Sequence, residues 1–326
     1  KRCLEEMGFG DFWLRSFTQG SIMGTISREG TVRSQSSSSE SKYKFMLIPP
    51  FHLPDEDEYR VPAHSEPAAA PREQRLLNSD MVLKHLEDVD WDLHSGIAPA
   101  YGNWAVETRE EFAFAATGRM QCVRDACETG KYNAIILLGG GEPGFTESRE
   151  IGRAHGVVVT ANAFAQMYLA TMLGDSFSII DIEGVHNVYY RDLVRTHRLE
   201  QRCRSIRNIG YSLPRPGDDD PDTLTAQFEA ADRGDYSAAV ERAVDQAEAA
   251  IMEDGAEVIT LGCSMTFWLQ PYIRDGLRAR GWEVPVLEGY TAAIELAKLM
   301  VNLGLNASGI TYMGARPQRL PPKVLI

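Results

Sequence analysis

The chain has 326 residues, enough for one large domain or two of medium size. Its formal net charge of −13 argues against a nucleic-acid groove, which needs a basic face. No apolar run is long enough to span a membrane, and the five scattered cysteines form no Cys-x-x-Cys pair, which argues against a disulfide framework or a zinc site. We therefore expect a reducing, cytoplasmic setting.

The first half of the chain predicts an extension followed by alternating strands and helices. Residues 1–42 include the polar stretch RSQSSSSESK, which predicts a flexible N-terminal extension. The apolar run KFMLIPP then predicts a buried strand, followed by an acidic, proline-rich loop. The next predicted elements are a short helix over 78–87, a strand at WDLHSGIA and a helix over 107–130.

The second half continues the alternation. The strands predicted there are AIILLGGG, GVVVTA, DSFSIIDIE, AEVITLG and VPVLEG, and each is followed by a helix. Asn162 is a candidate helix cap. One helix is predicted over 190–207 and another over 236–254, and YSLPRPGDDDPDTLTAQ between them predicts an exposed insertion.

Short apolar strands that alternate with helices predict an α/β fold, in which mainly parallel sheets are flanked by helices. Ligands of such sheets bind outside the carboxyl ends of the strands. Two strand-to-helix turns stand at such ends, LLGGGEPG and ITLGCS. Their small residues let a ligand approach the backbone closely, and amides at a helix N-terminus attract negative charge.

These turns resemble those of the aspartate/glutamate/hydantoin racemase superfamily. GEPGFTESREI is similar to one turn of that superfamily and ITLGCS to the other, and the resemblance extends over about 44–319. It implies two similar lobes with the active site in the cleft between them, formed by 43–157 plus 286–318 and by 158–285. It also implies that neither a metal nor an organic cofactor is needed, and that the chain is a possible homo-oligomer.

Many members of this superfamily place one cysteine in each turn, so that one thiolate removes a proton and the other thiol returns it. By this resemblance the second cysteine is Cys263, whereas the first position is occupied by Gly139. A racemase that uses two bases needs a proton donor on each face of its substrate. The missing thiol resembles the arylmalonate decarboxylase and dimethylsulfoniopropionate lyase branches, in which one base suffices.

We therefore expect Cys263 to transfer protons on a small carboxylate or amide-like substrate, as a single-base lyase or decarboxylase. The alternatives are a hydantoin or amino-acid racemase with a second base other than cysteine, such as Glu142, and an inactive binding protein of the same fold. A helix that begins after Cys263 is expected to lower the thiol pKa. A cysteine introduced at Gly139 is expected to face Cys263 and to bring in some racemisation.

The remaining candidate residues are expected to bind the substrate. The glycine turn would supply backbone amides for an oxyanion, and Ser264 would donate a hydrogen bond to the same anion. Polar or aromatic side chains at other strand ends would line the cleft. The candidates for substrate binding are Gly139, Gly140, Gly141, Ser264, Thr160, Asn162 and Tyr101.

Overall fold

The computed structural model describes residues 41–52, 79–102, 104–213, 220–314 and 319. The predicted N-terminal extension, apart from residues 41 and 42, therefore lies outside the described residues. No helix in the described ranges is both long and apolar enough to cross a bilayer.

The first lobe is built on a four-stranded parallel sheet with the order β2-β1-β3-β4. Its strands are β1 (Tyr43–Ile48), β2 (Val89–Leu93), β3 (Ala134–Leu137) and β4 (Val158–Ala161). The central strands β1 and β3 read as short runs of buried aliphatic residues because helices cover both of their faces.

The second lobe repeats this arrangement with the order β6-β5-β7-β8, again fully parallel. Its strands are β5 (Phe177–Asp181), β6 (Cys203–Asn208), β7 (Val258–Leu261) and β8 (Val286–Leu287). The α/β fold predicted from the sequence, two lobes with parallel sheets flanked by helices, is confirmed.

Nine α-helices connect and cover the strands within the described ranges. They are α1 (Ser79–Val82), α2 (Arg109–Glu128), α3 (Phe145–Ala154), α4 (Asn162–Leu173), α5 (Asn187–Thr196), α6 (Leu224–Asp232), α7 (Ala238–Met252), α8 (Gln270–Ala279) and α9 (Gly289–Leu303). The 3-10 turns Leu83–His85, Gly184–His186 and Ser264–Leu269 precede or follow some of them.

Four predictions differ from the structure. The segment predicted as one helix over 190–207 contains the end of α5 and the edge strand β6, and α6 lies where only an exposed insertion was expected. Asn162 is the first residue of α4 rather than its cap, since the N-cap position is Ala161. The sheets also divide the chain differently from the predicted lobes, because β4 lies in the first sheet and β8 in the second.

Candidate active site

The two predicted turns meet at the interface of the lobes. The glycine turn follows β3 in the first lobe, and Gly262 and Cys263 follow β7 in the second. A Cβ atom built on Gly140 would collide with the carbonyl oxygen of Gly262 and the hydroxyl of Tyr190, and would lie 2.8 Å from the Cα of Cys263. The two backbones therefore approach so closely that only glycine fits at position 140.

A cavity of about 740 Å³, including its open mouth, lies at this junction. Its walls are mostly apolar side chains and glycine backbone, as is usual for small-molecule sites. The described residues that line it are Pro50, Phe51, Ala105, Val106, Phe112, Gly139, Gly140, Gly141, Pro143, His186, Tyr189, Tyr190, Leu213, Cys263, Ser264 and Met265.

The proton-carrying side chains of this cavity are distributed unequally between the lobes. Among the described lining residues, the titratable ones are His186, Tyr189, Tyr190 and Cys263, and all four belong to the second lobe. The first lobe contributes glycine, proline, alanine, valine and phenylalanine, and no lysine or arginine is among the described lining residues. One side of the cavity can therefore exchange protons, whereas the other presents backbone and apolar surface.

Cys263 is held as a buried thiol. Burial and the nearby Asp181 carboxylate raise its pKa well above the ordinary value, although the backbone amide of Met265 and the hydroxyl of Ser264 act in the opposite direction. The residues after it form a short 3-10 helix, Ser264–Leu269, before α8 begins. The expected lowering of the thiol pKa by a helix N-terminus is thus outweighed by desolvation and a neighbouring negative charge.

Asp181 connects Cys263 to His186. It is the last residue of β5, and its Oδ1 accepts a hydrogen bond from the backbone N–H of Cys263 (2.7 Å). Its Oδ2 lies 3.2 Å from Nδ1 of His186, a contact that is electrostatic rather than a well-aligned hydrogen bond. Both side chains are almost fully buried, so the attraction between them is weakly screened by solvent.

Comparisons with known proteins point to the superfamily that the sequence resembles. No protein-family model matches the chain. A hydantoin racemase from Pseudomonas sp. (strain NS671) is 25% identical over 217 residues, which are 66% of this chain and 77% of the relative. The structure of allantoin racemase from Pseudomonas fluorescens aligns with a TM-score of 0.59 at 26% identity, covering 85% of this chain and 99% of that one. These similarities support the resemblance of the chain to the aspartate/glutamate/hydantoin racemase superfamily.

Two further relatives agree with this assignment. A hydantoin racemase from Rhizobium meliloti is 26% identical over 239 residues, which cover 73% of this chain and 87% of that protein. Allantoin racemase from Klebsiella pneumoniae shares the fold at 21% identity, with a TM-score of 0.59 and coverage of 87% and 96%. The similarity to these racemases supports an enzyme of the isomerase or lyase class.

The structure brings together most of the residues predicted for this superfamily site. Cys263, Ser264 and the glycines of the first turn line one cavity. Asn162 does not line it, but its Nδ2 donates a hydrogen bond to the carbonyl oxygen of Gly139 (2.8 Å) and so holds the turn.

Two residues that were predicted to line the cavity, Thr160 and Tyr101, lie outside it. The hydroxyl of Thr160 donates to the carbonyl oxygen of Ala293 in α9 (2.9 Å), which directs it away from the cavity. The hydroxyl of Tyr101 donates to the backbone of Trp104 (3.1 Å), and the two rings pack edge to face. Thr160 therefore contacts a neighbouring helix and Tyr101 contacts its own loop, and neither side chain lines the cavity.

Glu142 does not replace the missing thiol of the two-cysteine superfamily members. Its buried carboxylate accepts a hydrogen bond from the N–H of Phe164 (2.6 Å) and lies 3.4 Å from Nε2 of His197, and it does not line the cavity. The expected gain of function in Gly139→Cys also meets an obstacle. Gly139 has φ +90°, and a Cβ there would lie 2.9 Å from Cγ of Pro50.

Three residues in or next to this site are not among the residues predicted for it from the sequence. His186 and Tyr190 follow β5, and their approach to Cys263 depends on the pairing of β5 with β7. Arg119 is buried behind the glycine turn, where its guanidinium contacts the carbonyl oxygens of Ile48 and Leu138 at the ends of β1 and β3. The carboxylate that ends β5, followed by a histidine in DIEGVH, was the signal that could have identified His186.

Proposed function

We propose that the chain transfers a proton at an acidic carbon next to a carbonyl group, that Cys263 carries this proton, and that the net reaction is of the lyase or decarboxylase type. The observation that supports this proposal is the one-sided cavity. Its described titratable side chains all come from the second lobe, and the facing turn is built of glycines.

Racemisation requires that a proton leaves one face of the carbon and returns to the other. With Cys263 on one side and Gly139–Gly141 on the other, removal and return of the proton take place on one face. In an elimination, the thiolate takes the proton and the electron pair of the C–H bond forms the double bond as a leaving group departs. In a decarboxylation, carbon dioxide leaves first and the thiol protonates the resulting carbanion.

The glycine turn supplies the electrostatic part of this mechanism. Negative charge develops on the substrate oxygen when the carbon loses its proton, and backbone amides preorganised around that oxygen stabilise the transition state. Asn162 fixes the turn through its hydrogen bond to Gly139, so the amides need not reorganise during the reaction. This role of Gly139, Gly140 and Gly141 is part of the proposal.

Within the proposed reaction types, the composition of the cavity favours elimination from an uncharged, amide-like compound over decarboxylation of a dicarboxylate. No lysine or arginine is among its described lining residues, and burying a carboxylate without a cationic partner is costly. An uncharged carbonyl compound can still use the amides of the glycine turn. A five-membered cyclic amide of the hydantoin type fits these requirements.

The second candidate is racemisation of such a cyclic amide. Two observations favour it: several relatives are named hydantoin racemases, and the Tyr190 hydroxyl extends across the cleft to Gly140. Burial and Asp181 raise the pKa of Tyr190 well above its ordinary value, which leaves it a proton donor and a poor base. In this alternative Tyr190 would supply the second proton.

Turnover in deuterium oxide tests the proposal and separates the two candidates. The wild-type chain is incubated with single enantiomers of 5-substituted hydantoins, with 2-substituted malonates and with carbonyl compounds that carry a β leaving group. Products are followed by NMR and chiral chromatography, and Cys263→Ala is the control. We expect a single labelled enantiomer or an unsaturated product. A labelled racemate that depends on Cys263 would overturn the one-face mechanism and support the second candidate.

A further inference from the structure

The surroundings of Cys263 disfavour loss of the proton from its thiol. Burial and the Asp181 carboxylate both disfavour the thiolate, and the segment that follows the cysteine is a 3-10 helix of six residues. A thiol in such surroundings is a weak base at neutral pH. A second group in the cavity must take its proton before Cys263 can attack a C–H bond.

His186 meets the structural requirements for that group. It lines the same cavity as Cys263, is 4% exposed, and its Nε2 has no hydrogen-bond partner among the described residues. Its Nδ1 faces the Asp181 carboxylate that also holds the backbone of Cys263. The Asp181 carboxylate thereby contacts both His186 and the backbone of Cys263, on the same side of the cavity. Nδ1 of His186 faces this carboxylate, and Nε2 remains free to accept a proton.

We propose that His186, oriented by Asp181, exchanges a proton with the thiol of Cys263 during turnover. This inference rests on the proposed function and adds a residue to the same site. In the first step the S–H bond breaks and an N–H bond forms at Nε2, giving a thiolate and an imidazolium next to Asp181. The thiolate then takes the proton of the substrate carbon, so the S–H bond is restored.

The second half of the cycle returns the proton from the imidazolium. In an elimination, His186 gives its proton to the departing group, and the products are the alkene and the protonated leaving group. Because His186 lies on the same side of the cavity as Cys263, it supplies no donor for the opposite face. The pair is therefore consistent with proton transfer on one face.

The charges around His186 support this assignment. Burial opposes its protonation, but the contact with Asp181 and the more distant carboxylates raise the pKa of the imidazole above 6.5. An imidazolium next to Asp181 is thus favoured when the thiol gives up its proton. The titratable groups that face His186 are Asp181, Glu183, Glu107, Tyr189 and Cys263.

Alkylation of Cys263 tests the proposal without a substrate. The rate of reaction with iodoacetamide is measured against pH by mass spectrometry of the peptide that contains Cys263. The wild type is expected to show a step in the range where histidine titrates. In His186→Asn that step should disappear, and the rate at neutral pH should fall about 10-fold for each unit by which the thiol pKa rises.

Two controls separate this effect from general damage. The exposed His155 is replaced by Asn in a matched variant, and alkylation of Cys203 is measured in the same digests as an internal reference. An unchanged rate and pH profile at Cys263 in folded His186→Asn would overturn the proposal. So would the same loss in His155→Asn.

A second measurement covers the case in which His186→Asn does not fold. The titration of His186 is followed by NMR in histidine-labelled wild-type protein and in Cys263→Ala. We expect the Nε2 resonance and its pH dependence to change when the thiol is removed, and no change would overturn the proposal. Neither measurement needs turnover, so loss of activity in Cys263→Ala tests the proposed function separately.

Discussion

At the scale of single residues, Cys263 is the position on which the proposed chemistry depends. Cys263→Ala removes the group that moves the proton, and loss of one such group typically lowers the rate about 10²–10⁴-fold. The side chain occupies a turn at the edge of the cavity, so the fold should persist. Steady-state kinetics and circular dichroism check both parts, and full activity in the variant would contradict the mechanism.

His186 makes a second prediction, which concerns stability against pH. Its folded-state pKa lies above the ordinary 6.5, so its charged form is favoured by folding. The stabilisation is complete below the unfolded-state value and is lost as the pH rises through the higher folded-state value. The free energy of unfolding of the wild type minus that of His186→Asn should therefore decrease over this interval. A difference independent of pH, measured by urea titration, would refute the prediction.

The residues of the site were only partly predictable from the sequence. Cys263 and the glycines were recognisable because each follows an apolar strand and precedes a helix, which is a local pattern. His186 was not, because its relevance depends on the parallel pairing of β5 and β7, which brings Asp181 to the backbone of Cys263. Thr160 lies near the end of β4, but its hydroxyl donates a hydrogen bond to a carbonyl oxygen of α9 and is therefore not available to a substrate.

At the scale of elements, the glycine turn allows a matched pair of substitutions. In Gly140→Ala the added methyl group would collide with the backbone of Gly262, whereas in Gly141→Ala it would lie 3.5 Å from Cε2 of Phe112, an ordinary contact. Gly140→Ala should lower the free energy of unfolding by roughly 1–3 kcal/mol and remove most of the activity. Gly141→Ala should lower the free energy of unfolding by much less. Denaturant titration measures the free energy of unfolding of both variants. An equal decrease in the two variants would show that the two turns do not meet as described.

The elements that sequence reasoning misassigned have physical explanations. β6 is an edge strand with partly exposed residues, so it lacks the continuous apolar run that marks the other strands. α6 follows a proline- and aspartate-rich stretch and begins at a Thr223 cap, whose side chain accepts the N–H of Ala226. The central strands were predictable because two covered faces require uninterrupted apolar residues.

At the scale of the whole molecule, Gln166 joins the two lobes. It lies on α4 after the first sheet, and its side-chain amide forms two hydrogen bonds with the backbone of Leu261 in the second sheet (2.9 Å each). β8 pairs with β7 only at Ile259 and Thr260, so Gln166 continues the hydrogen bonding where β8 ends.

Gln166→Leu should leave the buried N–H and C=O groups of Leu261 without these partners. The expected cost is roughly 2 kcal/mol or more, together with reduced activity, because Leu261 directly precedes the turn that carries Cys263. The exposed Gln201→Leu is the control. Denaturant midpoints measure the effect, and equal stability of the two variants would mean that Gln166 does not connect the lobes.

The backbone of Gly139 also bears on how easily this enzyme could change its chemistry by mutation. One nucleotide change converts a glycine codon of the type GGT or GGC into a cysteine codon, so a second thiol at position 139 is genetically close. It is conformationally distant, because position 139 has φ +90° and a side chain there would meet the ring of Pro50. A second thiol at this position therefore needs the turn to be rebuilt and Pro50 to move before the new cysteine gives any advantage. Under the proposed mechanism, these individually unfavourable steps hinder any mutational path from a one-thiol to a two-thiol site.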